Sequence, residues 1–436
     1  MPAPDSITSW QETMQSVFPH LSRPQACVLA QASYGVMGVR SCGMTTVAAF
    51  LGMVLDQPTN TVRQRLREFT YGVAAKRGAH RREIAVAQCF VPLVHWILSL
   101  WDSDERRVVL ALDATTLGTR FTVLSISLVL RGTALPIAWV ILPACTKGTW
   151  RPHWLALLEQ LRGAFPPHWQ VLVTADRGLY AKWLYLAIQA NGWHPFLRIN
   201  QQGTARAPEH TNFHPLGHFV PTRGCAWRGP VELFRTKAAR LSCTLLAYWD
   251  EQHTDPWLVV TDLDAETVDV VWYGLRGWIE QLFKDLKRGG WQWQDTQMTD
   301  PERAARWWLV LAVATVQVVA LGVEHEVQEA AAVVVPGPDP APTRTLPRPP
   351  APVAHSPQQA APRRRGTVAG PRQATPRTLS CFERGRCRWA ALIHRGEPIP
   401  AGRLVPEPWP ALPLWQQAAG GTMWEQRLLW PEQWAA

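Results

Sequence analysis

Three acidic residues in the middle of the sequence stand where carboxylates could bind metal ions. Asp113 ends the apolar run RVVLALD, Asp176 ends QVLVTAD, and Glu280 lies in the charged stretch YGLRGWIEQLFKDLKRGG (273–290). Hard divalent cations such as Mg²⁺ prefer carboxylate oxygens and keep water and substrate phosphate as their other ligands. Two such ions roughly 4 Å apart can activate the attacking oxygen and stabilise the leaving oxygen of a phosphodiester displacement. The three acids therefore indicate metal-dependent chemistry on phosphodiesters, with two Mg²⁺ ions.

Basic residues accompany the third acid. In an α-helix over 273–290, at about 100° per residue, an arc of about 80° would hold five polar or charged residues: Tyr273, Arg276, Glu280, Lys284 and Lys287. The pair Gly289-Gly290 would end this helix. The arc could be the solvated face of an ordinary amphipathic helix. It could instead hold phosphates in line beside a catalytic acid, and the two aspartates elsewhere favour this interpretation.

The elements that must position these residues have the pattern of an α/β domain. Apolar runs rich in strand formers cover 107–113, 121–130 and 134–142, and the helical stretches 151–163 and 180–191 then alternate with the strands QVLVTAD and PFLRI. This order predicts an α/β fold with a mixed sheet. Asp113 and Asp176 would directly follow their strands, at the carboxyl edge where α/β folds bind ligands. An aspartate in such a place can also be a simple turn or cap residue.

The remaining chain divides into further regions. Residues 200–250 predict a β-rich insertion with strands in VELFRTK and LSCTLLAYW, and WLVVTDL, which begins at Trp257, is a strand before the glutamate helix. The apolar stretch 307–323 is at the short end of the membrane-spanning range and contains Gln317, so it predicts a buried core helix. The predicted domains are 1–100 (helical), 101–325 (α/β core), 326–377 (a Pro/Arg-rich disordered linker) and 378–436 (a short helix and a Trp/Pro-rich tail).

The N-terminal region carries a second basic feature. A break at Asp56-Gln57-Pro58 separates an apolar helix from a helix that Thr59 or Asn60 could cap. That second helix is expected to present three arginines: Arg63, Arg65 and Arg67. A helix, a turn and a basic helix suit DNA binding. A helical bundle with a solvated basic face fits the same pattern.

Composition favours a nucleic-acid partner. The chain has 44 basic and 34 acidic residues, a net charge of +10 and a pI near 9.5, as expected for a protein that binds a polyanion. A glycosidase could also use two carboxylates, but it needs no row of arginine and lysine beside them. Eight cysteines without a CxxC pair, and no signal peptide, indicate reduced thiols in a cytoplasm and no zinc site.

The motifs resemble the DDE transposases of bacterial insertion sequences, in particular the insertion-sequence-four group with its Tn-five-like enzymes. That group carries the signature Y-(2)-R-(3)-E-(6)-K, which Tyr273, Arg276, Glu280 and Lys287 match without a gap. LALDATTLG resembles the segment with the first aspartate, and VTADRGLY resembles the segment with the second. The β-rich insertion before the glutamate is a further mark of the group. The resemblance covers roughly residues 40–325.

The resemblance implies a fold, an activity and a set of partners. It implies an RNase H-like mixed sheet whose three acids bind two Mg²⁺ or Mn²⁺ ions. It also implies a dimer on double-stranded terminal inverted repeats that cuts the element out through hairpin ends and joins it to target DNA. Arg198 and Lys284 join the signature residues and the N-terminal arginines as expected DNA contacts.

Two further expectations follow. Trp257 resembles a tryptophan that Tn-five-like enzymes place before the glutamate helix, which implies a DNA contact in which the ring stacks on a base moved out of the duplex during hairpin formation. A core aromatic residue would fit the same position. The Pro-rich tail does not resemble the helical dimerisation domain of the group. The alternative function is an inactive or domesticated DNA-binding protein derived from a transposase, with DNA as its partner and no membrane in either case.

Overall fold

The N-terminal region is helical, as predicted. The computed structural model describes residues 5–76, 82–144, 150–251, 253–334 and 378–411. Five α-helices precede the sheet: α1 (Asp5–Val17), α2 (Arg23–Val39), α3 (Met44–Leu55), α4 (Thr59–Thr70) and α5 (Phe90–Ser99). The predicted break between α3 and α4 is confirmed. The predicted cap is wrong, because Thr59 is already the first helical residue and Pro58, which has no side-chain oxygen, takes the N-cap position.

The central domain is a mixed α/β structure around one ten-stranded sheet with the order β3-β2-β1-β4-β5-β10-β9-β8-β6-β7. Its strands are β1 (Arg107–Leu117), β2 (Phe121–Leu130), β3 (Thr133–Pro143), β4 (Gln170–Ala175), β5 (His194–Arg198), β6 (Thr204–Arg206), β7 (His214–Pro215), β8 (Ala226–Leu233), β9 (Leu241–Tyr248) and β10 (Trp257–Thr261). Strands β1, β4 and β5 are parallel neighbours, and the other pairs are antiparallel. The predicted fold class is confirmed at this level.

One strand is longer than predicted. β1 does not end at Asp113 but continues to Leu117, because its second half pairs with β2 in an antiparallel hairpin. β2 and β3 are joined by a tight turn in which Arg131 and Gly132 both have positive φ, at 47° and 80°. Two such residues in a row match the twist of a two-residue hairpin. Asp113 therefore lies inside a strand, at the point where its parallel partner β4 stops.

The β-rich insertion belongs to the same sheet. Strand β10 pairs with β5 on one side and with β9 on the other, so β9, β8, β6 and β7 extend the sheet outward. The predicted strand in VELFRTK begins earlier and ends earlier than expected, as β8. The insertion is therefore a lateral extension of the core.

Among the described residues, the α-helices that follow β3 are α6 (Arg151–Gln160), α7 (Lys182–Ala190), α8 (Trp278–Leu286), α9 (Pro301–Val334) and α10 (Cys381–Arg395), which is described below. α9 contains an apolar window that is long enough to cross a membrane, and 94% of that window is buried inside the protein. The prediction of a core helix at 307–323 is confirmed. The single helix predicted over 273–290 is corrected, because Val270–Gly277 forms a 3-10 helix and only α8 is an α-helix.

The C-terminal part packs onto this core. The predicted short helix is present as α10 (Cys381–Arg395). It crosses α9 where Gly322 faces Gly385, and a Cβ on either glycine would collide with the backbone of the other helix. Residues 397–411, called the C-terminal strap below, continue from α10, and Leu404 forms a β-bridge with Trp101. α9 crosses the predicted boundary at 325, and the predicted linker lies outside the described residues from 335 to 377.

Candidate active site

Two aspartates stand side by side at the edge of the sheet. The last parallel pair of β1 and β4 is Leu112 with Ala175. Asp113 is the next residue of β1, and Asp176 is the first residue after β4. Adjacent strands lie about 4.8 Å apart. Asp113 is half-buried and Asp176 is exposed, where it begins a short 3-10 turn. The sheet therefore brings together two acids that are far apart in the sequence, as predicted.

An arginine connects the first aspartate to the glutamate. Arg276 Nη2 donates to Asp113 Oδ2 at 2.8 Å, and Arg276 Nη1 lies 3.7 Å from Glu280 Oε1. Arg276 is in the last turn of the 3-10 helix and Glu280 is in the first turn of α8. The two residues are four apart, so they share one face of the helical segment. That face is turned towards Asp113.

Asp113 lies close enough to the other two acids for their charges to act on it. Burial raises the pKa of Asp113, and the neighbouring charges of Asp176 and Glu280 raise it further, whereas the Arg276 guanidinium and the Ala114 backbone N–H lower it. Burial and like charges disfavour the ionised form, and a nearby cation favours it. The site thus concentrates negative charge and is stabilised by a positive group between its members.

A lysine reaches the same strand. Lys287 Nζ donates to Thr115 Oγ1 at 2.6 Å, and burial lowers the pKa of Lys287. Thr115 is buried and stands two residues after Asp113 on β1. Within the predicted row, Arg276 and Lys287 therefore contact side chains of β1, and Glu280 lies on the same side, next to Arg276. Sequence reasoning missed Thr115, although its position two residues from Asp113 on a strand signals the same face.

Comparison with known families identifies the domain that carries this site. Residues 104–317 match the family model described as Transposase DDE domain. They form a transposase DDE domain. The match contains all three acids, and a transposase DDE domain implies a DNA transposase enzyme. No curated protein matches the chain significantly.

Beside the acids of the transposase lies an aromatic group. Tyr273 is buried, and its hydroxyl donates to the Ala175 carbonyl at 3.3 Å. Burial raises the pKa of Tyr273 to about 12. Trp257 packs edge-on against the Tyr273 ring with centroids 5.5 Å apart, and the Arg198 guanidinium lies 5.9 Å from the same ring. These residues support the segment that carries Arg276, and their expected DNA contacts stay predictions.

An open groove continues from the glutamate along α8. Exposed Lys284 lines it together with Glu280, Lys287 and Arg288. Arg288 was missed as a candidate, although it belongs to the same basic run KDLKRGG. The groove could take a phosphate backbone beside Glu280, because Lys284, Lys287 and Arg288 line it together with that acid.

The three N-terminal arginines have different surroundings. Arg67 is exposed and Arg63 is half-buried, one helical turn apart on α4. Arg65 points elsewhere, because its guanidinium donates to Gln31 Oε1 at 3.0 Å and to Gln57 Oε1 at 2.8 Å. Arg65 thus links α4 to α2 and to the turn after α3. The structure gives it a bracing contact that the sequence did not indicate.

Within the part of the transposase that the structure describes, no three His, Cys, Asp or Glu side chains are gathered closely enough to form a ready-made metal cage. The donor chemistry nevertheless fits a hard divalent cation, since all three acids offer carboxylate oxygens. Arg276 supplies positive charge between Asp113 and Glu280. The residues therefore suit a metal ion in charge and donor type.

Proposed function

We propose that this transposase cuts an insertion sequence at its terminal inverted repeats and joins the freed ends to target DNA. The observation that carries the proposal is the position of Asp113: the strand register puts it beside Asp176 at the end of β4, and the Arg276 guanidinium links it to Glu280 of α8. Asp113 and Glu280 are 167 residues apart in sequence, with Asp176 between them, yet the charges of Asp176 and Glu280 both raise the pKa of Asp113. A transposase DDE domain over the same residues supports their assignment as its three acids.

Asp113, Asp176 and Glu280 would hold two Mg²⁺ or Mn²⁺ ions. When bound, the ions supply the activation of the attacking oxygen and the stabilisation of the leaving oxygen. The protein's own contribution is to hold three carboxylates on rigid elements and to place cations beside them. Arg276, Lys284 and Lys287 are in position to bind the substrate phosphates, with Arg276 able to exchange its contact with Asp113 for one with DNA.

Finer features of the proposal rest on the sequence resemblance. Membership of the insertion-sequence-four group is supported by the Tyr273, Arg276, Glu280 and Lys287 spacing. An RNase H-like core is supported by three antiparallel strands followed by two parallel ones in the order β3-β2-β1-β4-β5. Hairpin ends, a homodimer on paired inverted repeats and a cytoplasmic, nucleoid-associated location complete the proposal. The basic composition supports the DNA partner.

A cleavage assay on end DNA tests this function. Asp113→Ala, Asp176→Ala and Glu280→Ala should each abolish Mg²⁺-dependent strand cleavage, because each removes a carboxylate that no neighbour replaces. End binding should stay nearly unchanged. Glu159→Ala is the matched control, since this exposed α6 glutamate pairs only with nearby Arg162 in the structure and lies outside the site. Cleavage at the wild-type rate by Asp176→Ala protein would contradict the proposal, and wild-type protein that binds ends without cleaving would indicate a domesticated binding protein.

A further inference from the structure

Residues 270–290, which carry Tyr273, Arg276, Glu280 and Lys287 (the Y-R-E-K row), are called the Y-R-E-K segment below. Strand β1 contacts two basic residues of this segment through side chains on one face. Asp113 accepts from Arg276, and Thr115, two residues later, accepts from Lys287 at 2.6 Å. Residues i and i+2 of a strand point to the same side of the sheet. Asp113 and Thr115 therefore form adjacent anchor points for the two cations of the Y-R-E-K row.

The backbone after α8 is shaped to send Lys287 towards β1. Lys287 leaves the helical conformation, with φ −94° and ψ −134°, at the C-cap of α8. The Gly289 N–H then donates to the Lys284 carbonyl at 3.0 Å. A Cβ at Gly290 would stand only 2.0 Å from the Asp285 carbonyl, so the turn requires a glycine there. The chain thus folds back directly after Lys287.

The contact is sheltered from solvent. Thr115 is only 8% exposed, and burial lowers the pKa of Lys287. A lysine side chain has much rotamer freedom to lose when it is held in place. The adjacent Thr116 is exposed, on the opposite face of the strand, and offers no such contact to Lys287. Thr115 is therefore the hydroxyl that fixes the direction of Lys287.

We propose that Thr115 is a positioning residue that holds the Lys287 ammonium beside Asp113, where it meets a substrate phosphate. The inference rests on the proposed strand cleavage. Thr115 contributes geometry rather than charge: its hydroxyl oxygen accepts one ammonium proton and leaves two others for phosphate oxygens. Without that acceptor, Lys287 keeps its charge but loses its fixed direction.

A double-mutant cycle tests the proposal. Thr115→Val keeps the shape of the side chain and removes the acceptor, so cleavage should slow by about 10- to 100-fold, as for loss of a hydrogen bond to a charged group. Lys287→Met should slow cleavage at least as much. In the Lys287→Met background, adding Thr115→Val should change the rate less than about twofold, because residues that act through one another are not additive. Thr115→Ser should restore most of the rate, and Thr116→Val is the matched control.

The same four combinations of Thr115→Val and Lys287→Met are also compared for their affinity for end DNA. All of them carry Asp176→Ala, so that cleavage plays no part in this measurement. There too, Thr115→Val should weaken binding only when Lys287 is present. This arm keeps the proposal testable if the wild-type protein proves not to cleave, so the two failures are distinguishable. If Thr115→Val is too unstable to purify, Thr115→Ala replaces it, with melting temperature recorded for every variant. An equal effect of Thr115→Val with and without Lys287, or no effect at all in both assays, overturns the proposal.

Discussion

Trp257 packs against the tyrosine of the Y-R-E-K row, where its ring can be tested as a stacking surface for a DNA base. It is half-buried at the start of β10, edge-on to Tyr273, and a Cβ on Gly274 would lie 3.3 Å from its ring. Hairpin formation requires tight bending of a DNA strand, which an extruded base relieves. Extrusion costs a few kcal/mol, and stacking on an aromatic ring can return roughly 1–3 kcal/mol.

Trp257→Ala should therefore slow hairpin formation or resolution far more than first-strand nicking, with little change in melting temperature. Separate gel assays for the nicked, hairpin and resolved products measure the three steps. Trp227→Ala is a control of the same type, since this half-buried tryptophan packs edge-on against Phe219 in the insertion. Equal losses of nicking and hairpin steps, with a large drop in stability, would assign Trp257 to the core alone.

At the residue scale, the sequence predicted which side chains meet but not how they meet. Arg276 and Glu280 share a face because they are four apart, and this holds although the helix changes type between them. Tyr273 still faces the same way because residues three apart eclipse in a 3-10 helix. Its burial and its bond to Ala175 were not predictable, since they depend on the approach of β4 to this segment. The Thr115 contact with Lys287 was missed for another reason: the strand was expected to end at Asp113, whereas β1 continues to Leu117.

Among the elements, α4 makes a prediction about DNA-end recognition. Arg63 and Arg67 lie one turn apart and are free to contact phosphates from one face, whereas Arg65 is held by Gln31 and Gln57. Each lost phosphate contact should flatten the salt dependence of end binding by about one unit of slope. Arg63→Ala and Arg67→Ala should each do so without loss of stability.

Arg65→Ala is the matched control on the same helix. It should lower the melting temperature, because the buried Gln31 amide and the half-buried Gln57 amide lose their partner, and leave the salt slope unchanged. Binding titrations at several salt concentrations, with end DNA and with random DNA, measure both effects. Unchanged slopes for Arg63→Ala and Arg67→Ala would show that α4 does not contact the end DNA. The basic face of the N-terminal helical bundle would then be merely solvated.

Helix α8 carries a second acid with a different task. Asp285 is buried on the side of the helix away from solvent, where Gln281 and Thr133 donate to its carboxyl group. Burial raises the pKa of Asp285 to about 7, against the lowering effect of those two hydrogen bonds. The folded protein therefore binds this proton more tightly than the unfolded chain, and stability falls as pH rises from about 4 to about 7.

Asp285→Asn should remove this loss, because the amide carries no charge, its oxygen can accept from Gln281, and its NH2 group can donate to the Thr133 hydroxyl oxygen. The free energy of unfolding of the variant relative to wild type should increase by up to about 1.4 kcal/mol per pH unit across that window and then level off. Chemical denaturation between pH 4 and pH 8 measures it. Parallel curves for the two proteins would show that the buried acid is not linked to folding.

At the scale of the whole molecule, the family domain covers residues 104–317, but its core is completed by the rest of the chain. Arg306 of α9 donates to the carbonyls of Ile84 and Thr70, which ties the N-terminal region to the sheet domain.

The order of helices and strands was readable from periodicity, because each element buries its own apolar face. The docking of α10 on α9 was not, since it depends on Gly322 and Gly385 meeting across 62 intervening residues.

The C-terminal strap contacts the Y-R-E-K segment at Trp272. Trp409 packs edge-on against Trp272 at 4.7 Å, and the Trp272 indole N–H donates to the Pro410 carbonyl at 2.9 Å. The Arg107 guanidinium lies 4.5 Å from the Trp409 ring. Trp272 belongs to the 3-10 helix that presents Arg276. A tail that sequence alone set apart from the core thus supports the Y-R-E-K segment.

Trp409→Ala should therefore lower the free energy of unfolding by about 2–3 kcal/mol, below the range of about 3–5 kcal/mol for a fully buried tryptophan because Trp409 is half-exposed. It should also slow strand cleavage more than it weakens end binding, since Trp272 and the segment after it lose their support, and Trp409→Phe should retain most of the rate. Trp169→Ala is the matched control, because Trp169 makes a similar edge-on contact with Trp101, with ring centroids 5.4 Å apart, and both residues lie outside the Y-R-E-K segment. Rates are compared at temperatures equally far below each variant's melting point. An equal loss of cleavage in Trp169→Ala and Trp409→Ala under that matching would show that the strap stabilises the fold without positioning the site.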